Sequence, residues 1–253
     1  MQYAELLYRL TVDCKDNGKR FQVKDRIREI KSLLAQSDYR LLFEGDLSLI
    51  YGKALPETDE YKVLISSHID CVYENCFVEE AGECWKGTFD NSATNAAVID
   101  LMLRNELDSS VLVAFTGDEE KDDGGAIEVL QFLHEKECCP ERVIVLDVTN
   151  EGEEEEVVFS MENDRNFDLL TGYQLIGLLQ SEEVVWVFAH DAEPDETWVY
   201  GKATGNGFPG IPCLSLCLPV VGDMHAEAGV YLYKSKIEPY KGILSKLANC
   251  TFG

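Results

Sequence analysis

This chain lacks long apolar runs, paired cysteines and basic character. No apolar stretch approaches the roughly 18 residues of a membrane-spanning helix, so no membrane partner is expected. Positive charge is scarce: 22 Lys and Arg stand against 47 Asp and Glu, a formal net charge of −25. Such a surface repels phosphate backbones and anionic lipid, which argues against nucleic acid as a partner. It suits divalent cations and substrates that carry an amino group. The nine cysteines include no CxxC pair, so reduced, mostly buried thiols in a cytoplasmic protein are expected rather than a disulfide framework. A cysteine metal site built from Cys71, Cys76 and Cys84 is the alternative, at irregular spacing. The segment MQYAELLYRLTVDC has no basic stretch leading into an apolar core, so no signal peptide is expected there. Internal repeats and Pro/Ser-rich linkers are also missing. Histidine is rare, four residues in all, which makes each position informative.

What the chain does have is a series of short apolar runs separated by helical periodicity. Ala4–Val12 and Val23–Leu34 carry apolar residues at helical spacing, with Val23, Ile27, Ile30 and Leu33/Leu34 on one stripe. Tyr39–Phe43 and Leu47–Gly52 read as paired strands around Glu44-Gly45-Asp46. Strands are expected at 61–70, 111–116, 143–148, 157–160, 184–189 and 214–218, and helices at 91–103, 125–133, 167–179 and 235–247. Strands that are apolar throughout and separated by helices predict an α/β fold, with a largely parallel central sheet covered on both faces.

The strand ends carry the chemistry. YKVLISSHID ends in His68 and Asp70, two residues apart and on one face of an extended strand. Asp90 precedes the helix at Asn91, VLVAFT runs into Glu119 and Glu120, RVIVL runs into Asp147, and LSLCL is followed by a loop with His225. In a doubly wound sheet the carboxyl ends of the strands form one edge, where sites assemble. Taken singly, a strand-end Asp is usually a cap and a lone His usually a hydrogen-bonded surface or core residue. Together, two histidines and three carboxylates form a natural donor set for two close divalent ions, since zinc accepts both imidazole nitrogen and carboxylate oxygen. One shared carboxylate can bridge two metals. Glu119, a further carboxylate beside Glu120, can then act as general base. The EGEEEE run at 151–156 reads as a solvated loop, and His134 and His190 fall outside the pattern.

The ordered set HID, GTFDN, DEE, LDVT and DMH resembles the co-catalytic (two-zinc) metallo-exopeptidases, the aminopeptidase and carboxypeptidase families of the phosphorylase/hydrolase-like fold. The resemblance covers almost the whole chain and implies a three-layer α/β/α sandwich with a mixed, largely parallel central sheet. It implies that His68 and Asp147 hold one metal and Glu120 and His225 the other, with Asp90 bridging them. Asp70 would orient His68, and Glu119 would be the general base and acid. The cofactors implied are two divalent ions, Zn2+ with Co2+ or Mn2+ as alternatives. The activity implied is aminopeptidase cleavage of a peptide or amide substrate. Deacylation of an N-acyl amino acid, a glutaminyl-cyclase-like reaction, or a non-catalytic metal-binding protein are the alternatives. His68 and Asp90 are only 22 positions apart and Asp147 and His225 only 78, which leaves no room for the inserted β-domain or lid of larger relatives. Residues 1–253 are therefore expected to form a single catalytic domain, with a monomer favoured. The chain departs from the family pattern at Thr94 and Asp122, where Gly is usual. It also has Gly229, with Glu227 nearby, where a Glu commonly follows the last histidine.

Overall fold

The computed structural model describes residues 2–14, 22–54, 60–160, 169–189, 195–202 and 210–250. In chain order these form α1 (Tyr3–Tyr8, continuing as a wider helical turn at Arg9–Asp13), α2 (Val23–Leu34), β1 (Arg40–Glu44), β2 (Ser48–Gly52), β3 (Val63–His68), β4 (Val78–Ala81) and β5 (Cys84–Gly87). Then come α3 (Ser92–Leu103), β6 (Val111–Thr116), α4 (Gly124–Glu135), β7 (Arg142–Thr149), β8 (Val157–Ser160), α5 (Leu169–Ser181) and β9 (Trp186–Ala189). The chain continues through α6 (Thr197–Tyr200), β10 (Cys213–Pro219), β11 (Val230–Tyr233) and α7 (Ile237–Asn249).

Eight strands form one sheet in the order β1-β2-β6-β3-β7-β10-β8-β9. Its centre, β6-β3-β7-β10, is parallel, as is the β8–β9 pair. The β1–β2, β2–β6 and β10–β8 pairs are antiparallel. The expected mixed, largely parallel sheet is therefore present. Its central strands are mostly apolar because both faces are covered. Side chains along a strand alternate between faces. Val63 and Ile65 of β3 join a core with Leu6 of α1, Ile30 of α2, Ala97 of α3 and Leu244 of α7. Leu64, between them, joins Leu112 and Val143 against Val129 and Leu133 of α4 and Tyr200 of α6. Burying one such aliphatic side chain contributes about 1.5–3 kcal/mol.

Local signals agree with these positions. In α2, Ile27, Ile30, Leu33 and Leu34 are buried as the stripe requires, and Asp25 closes a capping box by accepting from the Gln22 N–H at 3.1 Å. The helix α3 is buried along almost its whole length, and its Asp100 accepts from Lys241 of α7 at 2.5 Å with both side chains buried. A Cβ on Gly125, at the start of α4, would lie 2.4 Å from the Gly117 backbone nitrogen. That glycine allows α4 to pack backbone against backbone on the end of β6, which fixes the turn between them.

Besides the short helix α6, a further feature goes beyond the expected elements. A second sheet, β11-β5-β4, is built from the gap between His68 and Asp90 and from the chain just after His225. Its first strand reads Val-Glu-Glu-Ala and is mostly exposed, so it carries no apolar signal. Cys14 and Cys76 pack with Tyr73 and with Cys71, and Cys84 lies in β5. Among the described residues, the groups placed to hold a metal include no cysteine. No described helix is long and apolar enough to cross a membrane.

Candidate metal centre

Each of the seven residues singled out from the sequence lies at the carboxyl edge of the central strands. His68 is the last residue of β3, and Asp147 lies within β7, whose strand runs two residues further to Thr149. Asp90 precedes α3, Glu119 and Glu120 occupy the turn between β6 and α4, and His225 lies between β10 and β11. His68 and Asp90 are almost fully buried, whereas the His225 side chain is 47% exposed.

Asp90 faces both histidines. Its Oδ1 lies 3.0 Å from His68 Nε2, and its Oδ2 lies 3.0 Å from His225 Nε2. Asp147 Oδ1 lies 3.3 Å from His68 Nε2, and Glu120 Oε2 lies 3.9 Å from His225 Nε2. Two donor groups result, His68–Asp90–Asp147 and Asp90–Glu120–His225, each with its donor atoms within 4.8 Å of one another. They share Asp90. Glu119 reaches the same cluster, with an oxygen within 4.8 Å of donors on His68 and Glu120. Geometry alone therefore leaves Glu119 able to coordinate or to act as a base.

Asp70 does more than sit beside His68. Its Oδ1 lies 3.5 Å from His68 Nδ1. Its two oxygens also accept from the backbone N–H groups of Glu119 and Glu120, both at 3.2 Å. One carboxylate thus faces the β3 histidine and binds the backbone of the Glu119-Glu120 turn.

The electrostatics are those of a site short of positive charge. Burial, with Asp147, Glu196 and Glu120 nearby and His68 opposing, pushes Glu119 up to about 9. Burial and Asp90 raise Glu120 to about 7 against His68 and His225. Burial also raises Asp147. For Asp90, burial is outweighed by the two imidazoles, which hold its carboxyl well below the usual range. His225 is raised to about 9, first by its hydrogen bond to Asp90. Glu120 Oε1 is buried without a hydrogen-bond partner. Crowded carboxylates, two imidazole nitrogens and an orphaned acceptor are the chemistry that divalent cations satisfy, so the residues present fit two such ions.

Several supporting residues carry weaker sequence signals. Arg26 of α2 is fully buried and donates to the carbonyls of Ile69 and Asp70, both at 3.1 Å, and of Leu10 at 3.0 Å. Its signal is its place on the apolar stripe of α2, where a charged residue needs a buried partner. Asn95 donates to the His68 carbonyl at 2.7 Å, and Asn91 to the Leu146 carbonyl at 2.7 Å. Glu196, buried before α6, accepts from Ser66 of β3 at 2.7 Å. We expect Arg26→Met to lower stability by about 3 kcal/mol, because three buried carbonyls lose a charged donor. Denaturant unfolding of the metal-free chain measures this.

A cleft of about 650 Å3 opens over the cluster, lined among others by Lys121, Asp123, Thr149, Asn150, Asp195 and Met224. No arginine lines it among the described residues. Arg142 points to the Leu247 carbonyl at 2.8 Å, against α7. Glu151, Glu153, Glu154 and Glu155 of the acidic run line a separate depression with Val187 and Phe188. Glu162 and Asp164, candidate partners in the sequence for a substrate amine, Arg165, a candidate partner for a substrate carboxylate, and His190 lie outside the described residues.

No family model matches the chain, and no curated protein matches it in sequence. Solved structures match it in fold. An aminopeptidase from the archaeon Desulfurococcus kamchatkensis superposes with a TM-score of 0.74 at 10% identity, covering 99% of this chain and 95% of that one. The TET1 peptidase of Pyrococcus horikoshii, which can assemble into a tetrahedron or a large octahedral shell, has a TM-score of 0.74 at 12% identity, covering 99% and 100%. The LapA aminopeptidase of Legionella pneumophila has a TM-score of 0.64 at 14% identity, covering 98% and 72%. Identities this low establish a likeness of fold, and the mixed eight-stranded sheet with its flanking helices gives this chain the α/β fold shared by the TET-type and LapA-type aminopeptidases.

Proposed function

We propose that this chain is a metal-dependent aminopeptidase that holds two divalent ions and releases N-terminal residues from peptides. The observation that carries this is Asp90, whose two oxygens each lie 3.0 Å from a different histidine and so join two three-donor groups. In this assignment His68 and Asp147 would hold one ion, Glu120 and His225 the other, and Asp90 would serve both. Zinc suits the mixed nitrogen and oxygen donors, with cobalt and manganese as substitutes. Bound there, the ions would supply Lewis acidity towards the scissile carbonyl and lower the pKa of water at neutral pH.

The chain's own residues do the rest. Glu119 takes the proton of the attacking water and returns it to the leaving amine. Its raised proton affinity in the metal-free chain falls when positive charge enters beside it, which leaves it ionised and ready to accept. Asp70 holds the Glu119 backbone in register with His68. Asp123 and Asp195 in the cleft favour a substrate that carries an ammonium group over one that carries a carboxylate. A deacylase acting on N-acyl amino acids would need a cation for the substrate carboxylate. Arg142 is turned away from the cleft, so among the described residues Lys121, 3.9 Å from Asp118, is the lysine or arginine left in the cleft lining for that role.

The test is a panel of aminoacyl amides, N-acyl amino acids and N-terminal glutaminyl peptides, with zinc, cobalt or manganese added. Hydrolysis of the free-amine substrates supports the proposal. Turnover confined to the other classes replaces it with the deacylase or cyclase, and a chain that binds metal but turns over nothing is the non-catalytic alternative. We read residues 1–253 as one catalytic unit, and the short Asp147–His225 spacing favours a monomer. The self-assembling TET1 peptidase has the same fold, so sedimentation velocity is the measurement that separates monomer from shell.

Metal uptake should depend on pH with a definite sign. In the metal-free chain His225 titrates at about 9 and Glu120 at about 7. Below those values both hold protons that an incoming ion must displace. Affinity should therefore rise from about pH 6 to about pH 9, with proton release on binding. Calorimetry in buffers of different ionisation enthalpy measures the protons released. Uptake that weakened as pH rose across this range would contradict the donor set.

A further inference from the structure

His225 is the least supported member of the cluster. Its side chain is half exposed, its backbone has φ +65°, and it sits in a loop rather than at a strand end. Something must hold that loop if the imidazole is to stay 3.0 Å from Asp90. The strand that follows contributes: β11 pairs with β5, and Gly229 packs so closely on Gly87 that a Cβ would lie 2.5 Å from the Gly87 carbonyl oxygen. That anchor lies four residues past His225. A nearer one is Glu227. Its carboxylate accepts from two consecutive backbone amides of the segment after Asp70, Glu74 N–H at 2.8 Å and Asn75 N–H at 3.3 Å.

We propose that Glu227 is a positioning residue that clasps the His225 loop to the 71–76 segment and thereby sets the half of the metal centre that His225 completes. The inference rests on the metal-dependent function proposed above. The segment begins next to Asp70, which faces His68 and holds the Glu119-Glu120 turn. The clasp therefore ties the half-exposed half of the centre to the frame that meets the buried half. Two adjacent amides converging on one carboxylate form a charge-assisted pair of hydrogen bonds. The Asn75 side-chain Nδ2 adds a longer contact at 3.5 Å, whereas Glu74 contributes its backbone N–H, so the Glu74 side chain plays no part.

Glu227 is exposed, so its replacement leaves the core intact. The experiment is titration of the metal-free chain with cobalt(II), followed by absorption, for wild type, Glu227→Ala, Glu227→Gln, Glu74→Ala and His225→Ala. His225→Ala defines the spectrum of the half it removes. Glu227→Ala should bind the first equivalent as wild type does and the second, with that same spectrum, about 10-fold or more weakly. Glu227→Gln, which keeps one acceptor oxygen, should fall between, and Glu74→Ala should match wild type. Hydrogen exchange of the Glu74 and Asn75 amides in the metal-free chain should quicken in Glu227→Ala. Two equivalents bound by Glu227→Ala with wild-type affinities overturn the clasp and leave the proposed function standing. A wild-type chain that takes up no cobalt overturns both.

Discussion

Glu119→Gln should keep both metal ions and the fold and lose about 10³-fold in kcat, within the 10²–10⁴ range typical of a general base. The substitution preserves shape. It leaves untouched the backbone N–H through which residue 119 donates to Asp70 at 3.2 Å. It also leaves untouched the five donors of the two groups that share Asp90. What disappears is the capacity to take a proton and give it back. Because that function belongs to the transition state, KM should change little while kcat collapses. Steady-state kinetics with a measured metal content make the comparison. If the variant bound fewer ions than wild type, Glu119 would be a ligand, as its place within 4.8 Å of His68 and Glu120 donors permits. If it bound two ions and hydrolysed undiminished, the base would have to be another group.

Asp90→Ala should have the widest effect on metal binding, because it removes one donor from each group at once. His68→Ala or His225→Ala takes a donor from one group only. Asp90→Ala should weaken both ions and abolish activity, whereas His225→Ala should leave one ion bound close to its original affinity. The reason is placement: Oδ1 serves the buried histidine and Oδ2 the half-exposed one. Equilibrium dialysis against zinc, read as ions per chain, distinguishes the two patterns. Retention of both ions at wild-type affinity in Asp90→Ala would remove the bridging role. Some loss of stability in the metal-free variant is also expected, since His68 is buried among Asp90, Asp147 and Asp70 and loses one charged neighbour.

The strand ends show why so much of the centre was legible. A parallel strand between two layers is covered on both faces, so ionisable residues are excluded until the strand reaches the edge. VLISSH ending in His68 and VLVAFT ending before Glu119 both follow this rule. The edge is thus marked in the sequence by the abrupt appearance of ionisable groups. Arg26 and Asp70 were legible only in part. Asp70 stood out as a neighbour of His68, but its hold on the Glu119 and Glu120 amides joins residues about 50 positions apart and has no local signal. The small β11-β5-β4 sheet was missed because Val78–Ala81 is largely exposed and polar, and a strand that buries little leaves little pattern to read.

By itself the sequence determined the layered α/β architecture, the edge at which the site forms, and the residue types present there. Those follow from local rules: burial on both faces demands continuous apolar strands, and side-chain period assigns faces. Tertiary structure alone decided three things: that Asp90 turns one oxygen to each histidine, that Asp70 meets two segments, and that Glu227 meets the Glu74 and Asn75 amides. Each is a distance of a few ångströms between groups far apart in the chain. Such distances depend on strand register and loop path, which the whole packed molecule sets and no short stretch of residues encodes.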